Sequence, residues 1–154
     1  MKKLLIASDH AGFALKEDLI AYLKRKRSLT VIDLGTHSLD RCDYPEYAAN
    51  LARQISLKKA PRGILICKTG IGNSIVANRF PGVRASLCYN TEAAQLTREH
   101  NDSNVLVLGS GFVNSRQAAQ ITDIWLKTKF MGERHAKRLA LIKKIEKEIG
   151  CRIK

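Results

Sequence analysis

Five short apolar runs, each leading into a segment with helical periodicity, constrain this chain more than any other feature. The runs at 3–7, 29–34, 63–67, 84–88 and 105–108 have strand length, and short polar loops separate them from the helical segments. Leu15, Leu19 and Leu23 recur at helical spacing after the first run, Pro45 opens a helix reaching about Leu57, and further helices are expected at 91–100 and 114–127. Strict alternation of this kind predicts a parallel sheet covered by helices on both faces. The expectation is therefore an α/β protein, a Rossmann-like three-layer α/β/α sandwich with a five-stranded parallel sheet and an extra C-terminal helix. A chain of 154 residues suits one domain spanning 1–154.

In such sheets ligands bind beyond the carboxyl ends of the strands. Asp9 and His10 come directly after the first strand, and Cys67 ends the third, so both fall on that edge. After Cys67 comes Lys68-Thr69-Gly70-Ile71-Gly72, then a helix-compatible segment closed by Pro81-Gly82. The sulfur is thus expected where a buried strand surfaces at a helix N-terminus, with the N–H groups of Thr69 to Gly72 free to face an anion and the helix dipole favouring a thiolate. A buried structural cysteine would give the same pattern. His100 closes a helix, where the negative terminus favours imidazolium, as either a cap or a proton donor.

In the last helix, Arg134 and Arg138 fall within the stripe formed by Leu141, Ile142, Ile145 and Ile149, while Lys137, Lys143, Lys144 and Lys147 lie outside it. Both arginines are therefore expected to face inward and to need an anion, either a phosphate held between them or structural carboxylates.

Composition narrows the partners. A formal net charge of +13 favours phosphorylated or polyanionic ligands, yet no nucleic-acid-binding signature accompanies it, so binding of RNA or DNA is not expected. Cys42, Cys67, Cys88 and Cys151 form no C-x-x-C pair and have no histidine at zinc-ligand spacing, which indicates neither a disulfide framework nor a metal site. With neither a membrane-length apolar run nor a signal-peptide pattern, the expectation is a cytoplasmic protein. Gly70-Ile71-Gly72 lacks the third glycine of the dinucleotide fingerprint, there is no Walker loop, and Asn73 stands where a cysteine phosphatase needs arginine. The remaining set is a thiol base, a histidine acid and cations for a phosphate, which suits moving a proton beside a carbonyl.

Taken together, Ser8-Asp9-His10-Ala11-Gly12-Phe13, Asp33-Leu34-Gly35-Thr36, Asp43-Tyr44-Pro45, Ile66-Cys67-x-Thr69-Gly70-x-Gly72, Pro81-Gly82-Val83-Arg84-Ala85, Arg98-Glu99-His100-Asn101-Asp102 and Gly132-x-Arg134-His135 with Arg138 resemble the ribose-5-phosphate isomerase B family. Galactose-6-phosphate and allose-6-phosphate isomerases share this frame. The resemblance covers almost the whole chain. It implies interconversion of ribose 5-phosphate and ribulose 5-phosphate through an enediolate in the pentose phosphate pathway, without metal or other cofactor. It further implies that Cys67 is the base, that His100 is the ring-opening acid, and that Thr69 lies near the ring oxygen. Asp9, His10, Tyr44 and Asn101 match substrate contacts, Lys68, Thr69, Gly70, Ile71 and Gly72 match the anion-binding turn, and Arg134 with Arg138 match a phosphate clamp. The family is dimeric with sites at the subunit interface, which implies a homodimer or a dimer of dimers in which His100 and Asn101 serve the partner's thiol. The alternatives are a six-carbon sugar phosphate as substrate, or a non-catalytic basic protein binding nucleotides or nucleic acid. Two positions depart from the family pattern: Lys68 stands where glycine is usual, and Gly111 where a phosphate-contacting arginine is usual.

Overall fold

The structure is a computed structural model that describes residues 2–26 and 28–152. Arg27, part of the basic run after the first helix, lies outside the described residues, as does the side chain of Cys151. The strands are β1 (Lys2–Ser8), β2 (Leu29–Asp33), β3 (Arg62–Cys67), β4 (Ala85–Leu87) and β5 (Val105–Gly109), all paired in parallel in the order β2-β1-β3-β5-β4. Between and after them run α1 (Phe13–Lys24), α2 (Tyr44–Ser56), α3 (Ile71–Ala77), α4 (Thr91–Asn101), α5 (Ser115–Lys127) and α6 (Glu133–Arg152). The expected Rossmann-like α/β/α sandwich with its additional terminal helix is therefore present.

The strands read as unbroken apolar runs because they are buried on both faces. Leu4, Ile6, Ile64, Ile66, Leu106 and Leu108 point to a core built with Leu19, Leu23, Ile121 and Trp125 of α1 and α5. The alternate residues Leu5, Ala7, Leu65, Val105 and Val107 point the other way, onto Leu51, Ala52 and Ile55 of α2 and Ala77 of α3. One sheet thus feeds two cores, as the period of two along a strand requires. Among the described residues no helix is long and apolar enough to cross a membrane.

The chain leaves β1 toward β2 on one side and later returns to β3 on the other, so the order reverses between β1 and β3. A crevice opens at the carboxyl ends of two strands that diverge in this way. Gly12 keeps that crevice tight: a Cβ there would lie 2.5 Å from the Ile66 carbonyl oxygen. Gly12→Ala is accordingly expected to lower stability by about 1–3 kcal/mol through overpacking against backbone, measurable by urea denaturation. An unchanged midpoint would contradict this close approach.

The last helix differs from expectation. Leu141, Ile142, Ile145 and Ile149 are 61%, 43%, 52% and 53% exposed, and Arg134 and Arg138 are exposed as well. The apolar stripe exists, but nothing within the described chain covers it, so the arginines do not face inward. Periodicity locates the stripe correctly; it carries no information about the surface opposite.

Candidate active site

Cys67 sits at the carboxyl end of β3, 5% exposed, and its Sγ accepts a hydrogen bond from the Gly70 N–H at 3.1 Å. Gly70 adopts φ +80°, the left-handed conformation that turns this amide back onto the sulfur before α3 begins. Thr69 Oγ1 accepts from the Ile71 N–H at 3.2 Å. The expectation that all four amides from Thr69 to Gly72 stay free is therefore corrected: Gly70 and Ile71 already have acceptors within the turn. The Gly70 N–H gives the buried sulfur its hydrogen-bond partner.

Of the other described cysteines, Cys88 is fully buried and its thiol is pushed up to about 12 by that burial, which keeps it protonated at neutral pH. Cys42, Cys67 and Cys88 are all free.

Close backbone approach seats the turn. A Cβ on Gly109 would lie 2.5 Å from the Thr69 carbonyl oxygen, so the loop after β5 presses against it. Gly72, likewise bare, lets the Tyr44 ring lie against the start of α3. On the other side Tyr89 donates its hydroxyl to the Thr69 carbonyl at 3.1 Å and packs edge-to-face on Phe112 with centroids 5.2 Å apart. No sequence signal marks Tyr89 and Phe112, because the two loops that supply them are brought together only by the β4–β5 pairing. Across the switch point, Asp9 is buried and caps the 3-10 turn His10–Gly12 by accepting the Gly12 N–H at 2.9 Å. His10 Nδ1 is held by the Cys42 amide at 3.2 Å, which leaves Nε2 outside this contact. Asp9, His10, Tyr44 and the turn from Cys67 to Gly72 thus share the carboxyl edge of the sheet.

His100, Asn101, Arg134 and Arg138 do not share it. Helix α4 runs back from β4 and ends at Asn101, four residues before β5 starts, whereas Cys67 pairs with Gly109 at the far end of β5. The five residues of β5 put about 13 Å between those ends, so one chain holds its thiol and His100 on opposite edges of the sheet.

The amino-edge group is a cluster in its own right. His100 stacks on His135 with ring centroids 4.3 Å apart and planes 10° from parallel, and Arg134 Nε lies 3.4 Å from His135 Nε2. Arg84 braces this end of α4, donating from Nε to the Asn101 carbonyl at 3.0 Å and pairing with Asp102 at 3.0 Å. Arg98 grips the other Asp102 oxygen at 2.7 Å. The sequence places His135 in a motif without giving it a task; its contact with His100 exists only because α6 starts beside the end of α4.

Burial, and then the charges of His100, Arg134 and Arg138, push the His135 pKa down, with Glu133 opposing weakly. An unfolded chain therefore binds a proton at His135 before the folded chain does, so stability from this residue is present above the ordinary histidine value and fades as pH falls below about 6.5. We expect the wild-type melting temperature to fall more between pH 7.5 and 5.5 than that of His135→Gln; parallel losses would contradict the assignment.

Among the described residues, no group of three or more His, Cys, Asp or Glu side chains gathers as a metal site.

Fold and site define a Rossmann-like α/β protein with a buried thiol and a glycine-bearing turn at the switch point of its sheet. The family profile described as Ribose/Galactose Isomerase matches residues 4–142. Ribose-5-phosphate isomerase B of Escherichia coli K12 is 46% identical over 146 residues, covering 95% of this chain and 97% of that protein. The solved ribose-5-phosphate isomerase B of Clostridium thermocellum superposes with TM-score 0.92 at 45% identity, covering 96% of this chain and 99% of the other. The Mycoplasma genitalium ribose-5-phosphate isomerase B, solved with bound ribulose 5-phosphate, gives TM-score 0.91 at 40% identity, covering 95% and 97%. The chain belongs to the ribose/galactose isomerase family.

Proposed function

We propose that this chain interconverts ribose 5-phosphate and ribulose 5-phosphate, the isomerisation of the pentose phosphate pathway, with Cys67 as the base. The observation that carries the reading is the Gly70 N–H donated to Cys67 Sγ in the turn between β3 and α3. The thiolate takes the C2 proton of the open-chain aldose, the C1 carbonyl accepts the electron pair, and an enediolate forms. The same sulfur returns the proton to C1 while the proton of the C2 hydroxyl passes to the C1 oxygen, which leaves the ketose. Amides of the turn other than those of Gly70 and Ile71 face the enediolate oxygens, and loss of one such donor typically costs about 2.7–4 kcal/mol of transition-state stabilisation. Thr69 lies beside the ring oxygen, Asp9, His10, Tyr44 and Asn101 hold the sugar, and His100 protonates the ring oxygen as the furanose opens.

Because thiol and imidazole occupy opposite edges of one chain, the working site combines two copies. A homodimer about a two-fold axis places His100, Asn101, Arg134 and Arg138 of one copy against Cys67 of the other. It also covers exposed Ile71 and Ile75 on α3 and the bare stripe of α6. Turnover measured on ribose 5-phosphate, allose 6-phosphate and galactose 6-phosphate, with light scattering on the same sample, tests the proposal. It expects the pentose phosphate to be preferred by a dimer or larger assembly; preference for a six-carbon sugar or an active monomer would overturn it.

A further inference from the structure

Residues 68 and 111 occupy one space. Lys68 leaves the turn directly after Cys67, and its aliphatic stem runs across the loop after β5: a Cβ on Gly111 would lie 3.2 Å from Lys68 Cε and 3.5 Å from its Cδ. The two backbones are tied as well, since the Gly111 N–H donates to the Lys68 carbonyl at 2.9 Å. Among the described residues no carboxylate lies within ion-pair distance of the Lys68 ammonium. The thiol, in contrast, has its own donor in the Gly70 amide. An exposed ammonium beside the Cys67 turn, with no ion-pair partner among the described residues and a stem that lies against a bare glycine, is a cation available to a ligand.

We propose that Lys68, seated across Gly111, is a phosphate-binding and specificity-determining residue of this chain, meeting the substrate phosphate from the carboxyl edge of the sheet while the partner copy's guanidiniums meet it from the other side. The stem lies over Gly111 in the loop after β5, and this course assigns the ammonium to the phosphate end of the substrate. This rests on the isomerase reading above and refines it. Lys68 acts on binding, so its removal affects ground state and transition state alike.

The test combines isomerase kinetics with calorimetric binding of inorganic phosphate to the intact assembly, for Lys68→Met, Lys68→Arg, Gly111→Ala and the double variant Lys68→Met/Gly111→Ala. Methionine keeps an unbranched stem and removes the charge. KM for ribose 5-phosphate and the phosphate dissociation constant should both rise about tenfold with kcat nearly unchanged, and arginine should restore both. Gly111→Ala should weaken phosphate binding in the lysine background and have little further effect once the charge is gone. Unchanged phosphate binding in Lys68→Met overturns the proposal, whether or not the protein turns over a sugar. A fall in kcat with a shifted pH profile and unchanged KM overturns it too, because that would tie the ammonium to the thiol. If wild type lacks isomerase activity yet loses phosphate binding on Lys68→Met, the isomerase reading fails while the anion assignment stands.

Discussion

Replacing Cys67 by alanine is expected to lower turnover of ribose 5-phosphate by about two to four orders of magnitude, the usual contribution of a positioned general base. The substitution deletes one buried atom at a strand end and leaves the β3 ladder intact, so circular dichroism and the melting temperature should change little. Neither of the other described thiols can take over: Cys88 is buried in the core and stays protonated, and Cys42 is turned to His10. The decisive comparison is between Cys67→Ala and Cys88→Ala. Loss confined to the first supports a chemical role for this sulfur, whereas equal losses would reduce Cys67 to a packing residue.

The second large effect concerns the composite site. Cys67→Ala and His100→Asn should each be nearly inactive as pure assemblies. Unfolding them together and refolding in equal amounts should recover roughly a quarter of wild-type activity, because half of randomly paired dimers are mixed and each mixed dimer carries one undamaged site of its two. The arithmetic depends on thiol and imidazole coming from different copies. If both came from the same chain, every site in every pairing would carry a lesion and no activity would return. The geometry behind the expectation is that α4 must run back along the sheet before β5 can start, which delivers His100 to the amino edge.

How much of this was legible in the sequence depended on the range of the interaction. The five strands were visible because a sheet covered on both faces needs nearly continuous apolar runs, and Ile64, Leu65 and Ile66 in succession between Gly63 and the Gly70 turn have strand length. Cys67 at the strand end, and a glycine at 70 able to take a positive φ, come from local chain chemistry. The hidden features depended on distant segments. Tyr89 reaches the Thr69 carbonyl across 20 residues, and His135 finds His100 across a strand, a helix and three loops. The α6 stripe is the clearest case: its period was correct, but its arginines and leucine lie on a surface that one chain leaves open, and periodicity cannot name a partner. The amide count in the turn after Cys67 was wrong for a related reason, since Sγ and Thr69 Oγ1 accept two N–H groups that residue types alone leave unassigned.

The most direct measurement of the central claim is alkylation of the wild-type protein with iodoacetamide, tracking modification of each cysteine by mass spectrometry alongside residual activity. Activity should fall in step with carboxamidomethylation of Cys67, and saturating ribulose 5-phosphate should slow both to the same degree. An assembly fully modified at Cys67 that still isomerises ribose 5-phosphate at the wild-type rate would contradict the account.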